Sequence, residues 1–177
     1  DASFNISLEE FAVLTTCEVS CLQIDDFDEL QGLYSAFRGS AECVRLILRS
    51  DALREIMQEL SDVAGAVTVW FTCSKQSERF TLCTSGSTGS CEVELHKSSE
   101  AFISFDCISE TAVTHSYSLV SLQLAMKALH LSGETCIRVN QEGIACVQHQ
   151  ICSESGQNIF LDYLVVANDS GERERER

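Results

Sequence analysis

The chain is 177 residues long and 45% apolar, has no proline, and sets 27 acidic against 12 basic residues for a formal charge of −15. That charge argues against ordinary electrostatic DNA binding, where a basic face dominates, but not against a protein that holds DNA by closing around it. No apolar run approaches the roughly 18 residues of a membrane span, and the lack of proline suits long, uninterrupted sheet ladders.

Residue 1 is Asp and no secretory leader is recognisable, so the chain reads as a fragment or a processed product with sequence expected upstream. Residues 3–8 and 11–21 read as two strands joined around Glu9-Glu10, with Val13, Thr15, Cys17 and Val19 on one face of the second. Two strands alone are marginal in water, so they need partners. Residues 22–42 are acidic at their start and weakly periodic, which reads as a connector between domains. Asp25, Asp26, Asp28 and Glu29 are the composition of a solvated linker more than of a metal site. Leu30, Leu33, Tyr34 and Phe37 have helix-like spacing, so a short helix or a docking strip is expected there.

The stretch 43–64 organises the rest of the chain. Val44, Leu46 and Leu48 alternate with Arg45 and Arg49 as a strand. The period then changes, and Leu53, Ile56, Met57, Leu60 and Val63 form the stripe of an amphipathic helix. Ser50 suits its N-cap and Gly65 its C′ position. Strands are expected at 66–73, 80–86 and 89–96, and Lys75 and Arg79 bracket the polar turn between the first two. Gly86-Ser-Thr-Gly89 resembles a phosphate loop only superficially, since no helix comes after it. Cys91, Val93 and Leu95 alternate with Glu92 and Glu94 as a half-buried strand.

A further strand covers 101–107. The order then recurs: a strand at 114–120, Ser121 as cap, a helix from Leu122 to His130 with Leu122, Met126 and Leu129 on one face, and strands at 135–140, 144–152 and 158–167. The period, roughly 70 residues, exceeds that of solenoid repeats, so the chain reads as one duplicated β-α-β-β-β unit. The fold class is α+β with antiparallel sheets and two helices. The tail 168–177 alternates charge without an apolar residue and reads as disordered.

Ten cysteines fall mostly within strands, and free, buried or half-buried thiols are expected. Cys17-x3-Cys21 and Cys146-x2-His149-x2-Cys152 lack the knuckle spacing of zinc sites. In the second cluster, strand positions i and i+3 point to opposite faces. No metal or cofactor is expected.

The ordered set Leu48-Arg-Ser-Asp-Ala-Leu-Arg-Glu-Ile-Met-Gln-Glu-Leu60, Phe80-Thr-Leu-Cys-Thr-Ser-Gly86 with Gly89-Ser90, Tyr117-Ser-Leu119, Lys127-Ala-Leu-His-Leu-Ser132, Ile137-Arg138 and Gly143 resembles the Rad-one family of checkpoint clamp subunits. These are members of the nine-one-one complex and relatives of proliferating cell nuclear antigen, a DNA sliding clamp. The likeness covers residues 5–167 and is strongest from 43 to 152. It implies that 1–21 are the last two strands of a first clamp domain, 22–42 the interdomain connector and 43–167 a complete second domain.

The resemblance further implies a heterotrimeric ring with two other checkpoint clamp subunits, placed by a clamp loader, with duplex DNA held topologically. Such a ring acts in the nucleus and recruits checkpoint and repair proteins. Helices would line the hole, with Arg54, Lys75, Arg79 and Lys127 as DNA-facing candidates. Strands 11–21 and 89–96 would meet neighbouring subunits, with Val13, Thr15, Cys17, Val19, Cys91, Val93 and Leu95 as interface candidates. Ile24, Phe27 and Leu30 would receive a partner peptide.

Two other readings stand beside this one. A 3′–5′ exonuclease activity has been attributed to some family members, but Glu92 and Glu94 share a strand face without a third carboxylate, and Asp106 and Asp162 lie on other strands. No catalytic residue is therefore assigned. A homotrimeric replicative clamp would share the fold and differ in self-association.

Overall fold

In the computed structural model the described residues are 3–20, 27–153 and 156–168, with backbone alone at 27–30. The expectations for Cys21, Ile24, Asp25 and Asp26, for the side chains of Phe27, Asp28, Glu29 and Leu30, and for the tail from 169 lie outside them. The chain divides into two units, Asp1–Ser35 and Ala36–Arg177.

The first unit holds one antiparallel hairpin, β1 (Ser3–Glu10) and β2 (Val13–Ser20), exposed along its whole length. Its turn falls at Phe11-Ala12, not at Glu9-Glu10. Both turn residues have positive φ, 51° and 61°, which matches the twist a two-residue hairpin demands. Helix α1 (Phe27–Gly39) comes next, so the weak periodicity of the connector conceals 13 helical residues.

The second unit runs β3 (Glu42–Arg49), α2 (Ser50–Ser61), β4 (Thr68–Ser74), β5 (Arg79–Gly86), β6 (Gly89–His96), β7 (Phe102–Cys107), β8 (Val113–Ser118), α3 (Leu119–Ala125, continued by a 3-10 turn, Met126–His130), β9 (Glu134–Asn140), β10 (Ile144–Cys152) and β11 (Asn158–Val166). Two antiparallel sheets result, ordered β11-β10-β9-β3-β7 and β6-β5-β4-β8. The strand before each helix therefore pairs with one that comes after the other helix: β3 with β9 and β8 with β4, while the far side of β3 pairs with β7. Leu46 of β3 lies opposite Ile137 of β9, and Tyr117 of β8 lies opposite Val69 of β4. This reciprocal exchange is the spatial form of the duplicated unit, and it turns the antiparallel α+β fold read from the sequence into two sheets.

One core joins both copies. Val44, Leu46 and Leu48 from β3, Leu53, Met57 and Leu60 from α2, Phe71 and Phe80 from the smaller sheet, and Ile137 and Val147 from the larger are all buried in it. Gly86 is fixed by close approach, because a Cβ there would sit 2.4 Å from the Ala64 carbonyl oxygen.

Three local expectations are corrected. Ser50 does not cap α2. Arg49 holds the cap position without a side-chain bond, and the Ser50 hydroxyl is buried against Thr135 Oγ1 at 2.8 Å. Ser118, not Ser121, caps α3, and its hydroxyl accepts from the Ser121 amide. Gly65 has φ +78°, but α2 ends at Ser61 with Asp62 as C-cap, so the glycine serves the turn beyond the helix end.

Candidate functional site

The helix layer contains two of the expected cations. Sheet pairing orients α2 so that Leu53, Ile56, Met57 and Leu60 face the core, leaving Arg54 exposed beside Asp51, Glu55 and Glu59. The 3-10 turn after α3 packs against α2 and leaves Lys127 and His130 exposed. Gln123 Nε2 ties the two helices by donating to Ser61 Oγ at 2.9 Å. Neither Arg54 nor Lys127 makes an ion pair with a described residue. This surface therefore carries isolated cations within an acidic field.

Lys75 and Arg79 are engaged differently. Lys75, in the β4–β5 turn, donates to Glu110, and Arg79 Nη1 lies 2.9 Å from the Glu94 carboxylate on β6. Arg45, Arg49 and Lys97 are likewise bound to Glu42, Asp51 and Glu78. The Arg49 guanidinium holds the Asp51 carboxyl below its ordinary range.

The edges are set by the topology. Strand β6 ends the smaller sheet, so one side of its backbone is unpaired within the unit. Cys91, Val93 and Leu95 point inward and pack on the core, leaving Glu92 and Glu94 outside. What β6 leaves open at this edge is its backbone amides and carbonyls, while those three side chains are half-buried. On β2, by contrast, Val13, Thr15, Cys17 and Val19 are all exposed.

Reactive chemistry is sparse among the described residues. No three His, Cys, Asp or Glu side chains converge as a metal set requires. Burial pushes the thiols of Cys43, Cys73, Cys136 and Cys146 up, which keeps them protonated and unreactive.

Two clusters escaped sequence reading. Ser132, Ser50, Thr135 and His149 form a hydrogen-bonded chain ending on the Ala125 carbonyl. Its members are up to 99 positions apart, and no local pattern links them. Arg138 stacks on Phe37, with its Cζ 5.4 Å from the ring centroid, and donates from Nη2 to Cys146 Sγ at 3.3 Å. Its outward position on β9 was legible from the alternation around Ile137 and Val139, but its neighbours were not.

The family model described as "Repair protein Rad1/Rec1/Rad17" matches residues 1–151. The DNA damage checkpoint control protein rad1 of Schizosaccharomyces pombe is 25% identical over 163 residues, which is 92% of this chain and 48% of that protein. The cell cycle checkpoint protein RAD1 homolog mrt-2 of Caenorhabditis elegans is 29% identical over 126 residues, or 71% and 45% of the two chains. The chain spans about half the length of these curated relatives.

Proposed function

The chain belongs to the Rad1/Rec1/Rad17 repair-protein family, and from that membership we propose that it is one subunit of a heterotrimeric checkpoint clamp that encircles DNA in the nucleus. The family match across residues 1–151 carries the reading. The duplicated two-sheet fold, with its helices side by side and β6 at an open edge, agrees with it.

In this reading residues 1–21 close a first clamp domain, 22–42 connect, and 43–167 form the second domain. The backbones of β2 and β6 join neighbouring subunits by strand addition, which supplies affinity through main-chain hydrogen bonds. Arg54 and Lys127 face the duplex and touch phosphates without reading sequence. Lys75 and Arg79 are second in rank, because each already binds a carboxylate of its own chain. A clamp loader places the ring. Ile24, Phe27 and Leu30 of the connector receive peptides of checkpoint and repair proteins. The role is that of a scaffold, not an enzyme.

The test is the solution mass of the full-length protein, alone and mixed with the two other checkpoint clamp subunits, by size exclusion with light scattering. The expected result is a monomer that enters a one-to-one-to-one trimer. A self-made trimer would instead support a replicative-type clamp. A monomer that ignores both partners would sink the ring reading. Metal-dependent 3′–5′ hydrolysis of DNA, lost in a carboxylate variant, would overturn the scaffold reading.

A further inference from the structure

The larger sheet has a second face, turned away from the buried core, and its side chains lie in register. Arg45 of β3 is directly opposite Arg138 of β9, and Arg138 is opposite Cys146 of β10. The next row is Ile47, Cys136, Gln148 and Asp162, and the one after it ends in Glu134, Gln150 and Phe160. Like charges directly opposite one another destabilise a sheet unless something neutralises them.

Among the described residues only one of the two guanidiniums is neutralised. Arg45 donates from Nε and Nη2 to the Glu42 carboxylate at 2.8 and 3.2 Å. Arg138 makes no ion pair with a described residue, although the chain has 27 acidic residues. Its hydrogen bond to Cys146 goes to a sulfur, a weak acceptor, and its Nε is buried without a partner among the described residues. The Phe37 ring holds the guanidinium plane in place. Beside this pair lies a cavity of about 270 Å³ lined by Arg45, Arg138, Cys136, Gln148, Gln150 and Phe160.

We propose that this cavity docks an acidic segment of a partner protein, with an Asp or Glu carboxylate on Arg138 and Arg45 and an adjoining apolar side chain against Phe160. A planar guanidinium fork matches a planar carboxylate in two parallel hydrogen bonds. A monoanion fits better than a phosphate dianion, because Glu134 also lines the cavity and Asp162 stands in the adjoining row, held by Gln148 Nε2 at 2.8 Å. Phe160 is 57% exposed, so an apolar neighbour of the carboxylate has a surface to cover. The site goes beyond the ring reading and stands without it, since one chain supplies every lining residue.

The test is fluorescence anisotropy with the full chain and three labelled peptides: paired glutamates flanked by leucines, the same peptide with glutamines, and the same peptide with phosphoserines. Saturable binding of the glutamate peptide is expected, with none for the glutamine version. Arg138→Gln and Arg138→Lys should each weaken it by about tenfold or more, since Lys lacks the fork. Arg45→Gln, at an exposed position, should weaken it without moving the thermal midpoint, which guards against loss of fold as the cause. Absence of saturable binding, equal binding by the Arg138 variants, or equal binding of the glutamine peptide would overturn the proposal. Preference for the phosphoserine peptide would also overturn it and assign the site to a phosphate.

Discussion

His149 shows how one carbonyl orders a buried network. It is fully buried, and its Nε2 lies 2.7 Å from the Ala125 oxygen, which can only accept. Nε2 therefore carries the proton. Nδ1, 2.9 Å from Thr135 Oγ1, must then accept from that hydroxyl, Thr135 from Ser50, and Ser50 from Ser132. A second proton on the ring, at Nδ1, would oppose the bond from Thr135 and leave that hydroxyl without its acceptor. Burial depresses the His149 pKa below the ordinary 6.5. Above about 6.5 neither state is protonated, and below it the unfolded chain takes a proton that the folded chain refuses. Stability is thus full at neutral pH and falls as pH drops from about 6.5 to the depressed folded value, by at most about 1.4 kcal/mol per pH unit. Thermal melts across that range should show the loss, and His149→Gln should flatten it; an unchanged slope in the variant would place its origin elsewhere. Tyr117 is the opposite case. It is 1% exposed and its hydroxyl has no hydrogen-bond partner among the described residues, while burial drives its phenol pKa upward. Removing an unsatisfied buried donor relieves its desolvation cost, so Tyr117→Phe should be neutral or stabilising by about 1 kcal/mol in urea unfolding. A clear loss would mean that the hydroxyl is bonded in solution.

At the scale of the element, α2 carries the strongest expectation. Leu60 is completely buried at its C-terminal end, so Leu60→Ala should cost about 2–5 kcal/mol in denaturant unfolding, whereas Glu59→Ala, on the exposed face, should stay within about 0.5 kcal/mol. Equal effects would mean that α2 is not docked as described. Helix α2 was legible because its stripe obeys one period and its neighbour β3 another, so the switch at residue 50 is visible in the order of apolar residues alone. The nine strands of the second unit were legible for the same reason, down to the inward set Cys91, Val93 and Leu95. Caps were not. Ser118 and Ser121 are equally able to cap, and the choice falls where pairing of Thr68 with Ser118 ends the β4–β8 ladder. Ser50 looked like a cap because its true partner, Thr135, is 85 residues away. Helix α1 was blurred by the acidic run at its start, and its docked end is fixed by a residue distant in sequence: Asn140 Nδ2 donates toward the Phe37 carbonyl at 3.4 Å. Arg54 and Lys127 were found as charges on helices, while Arg138 needed the register that sets it opposite Arg45.

For the whole molecule, charge decides what kind of DNA contact is possible. With a formal charge of −15, long-range attraction to a duplex is absent, and Asp51, Glu55 and Glu59 share the exposed face of α2 with Arg54. A protein so charged cannot retain DNA by counterion release from this surface alone, because that mechanism needs many neutralised phosphates. Closure around the duplex removes the need, since a topological hold does not weaken as ions screen charge. The proposed ring therefore makes a specific forecast. Assembled with its two partner subunits and loaded on circular DNA, the protein should stay bound in about 1 M salt, where the Debye length is about 3 Å, and should leave when the circle is cut. Neutralising Arg54 and Lys127 to Gln should leave that retention unchanged, because neither charge closes the ring. The same substitutions should lower the salt dependence of residence on linear DNA, by about one unit of slope for each phosphate no longer neutralised. Release from intact circles by salt alone would show that charge, not closure, holds the DNA, and would remove the reason for a weakly basic lining.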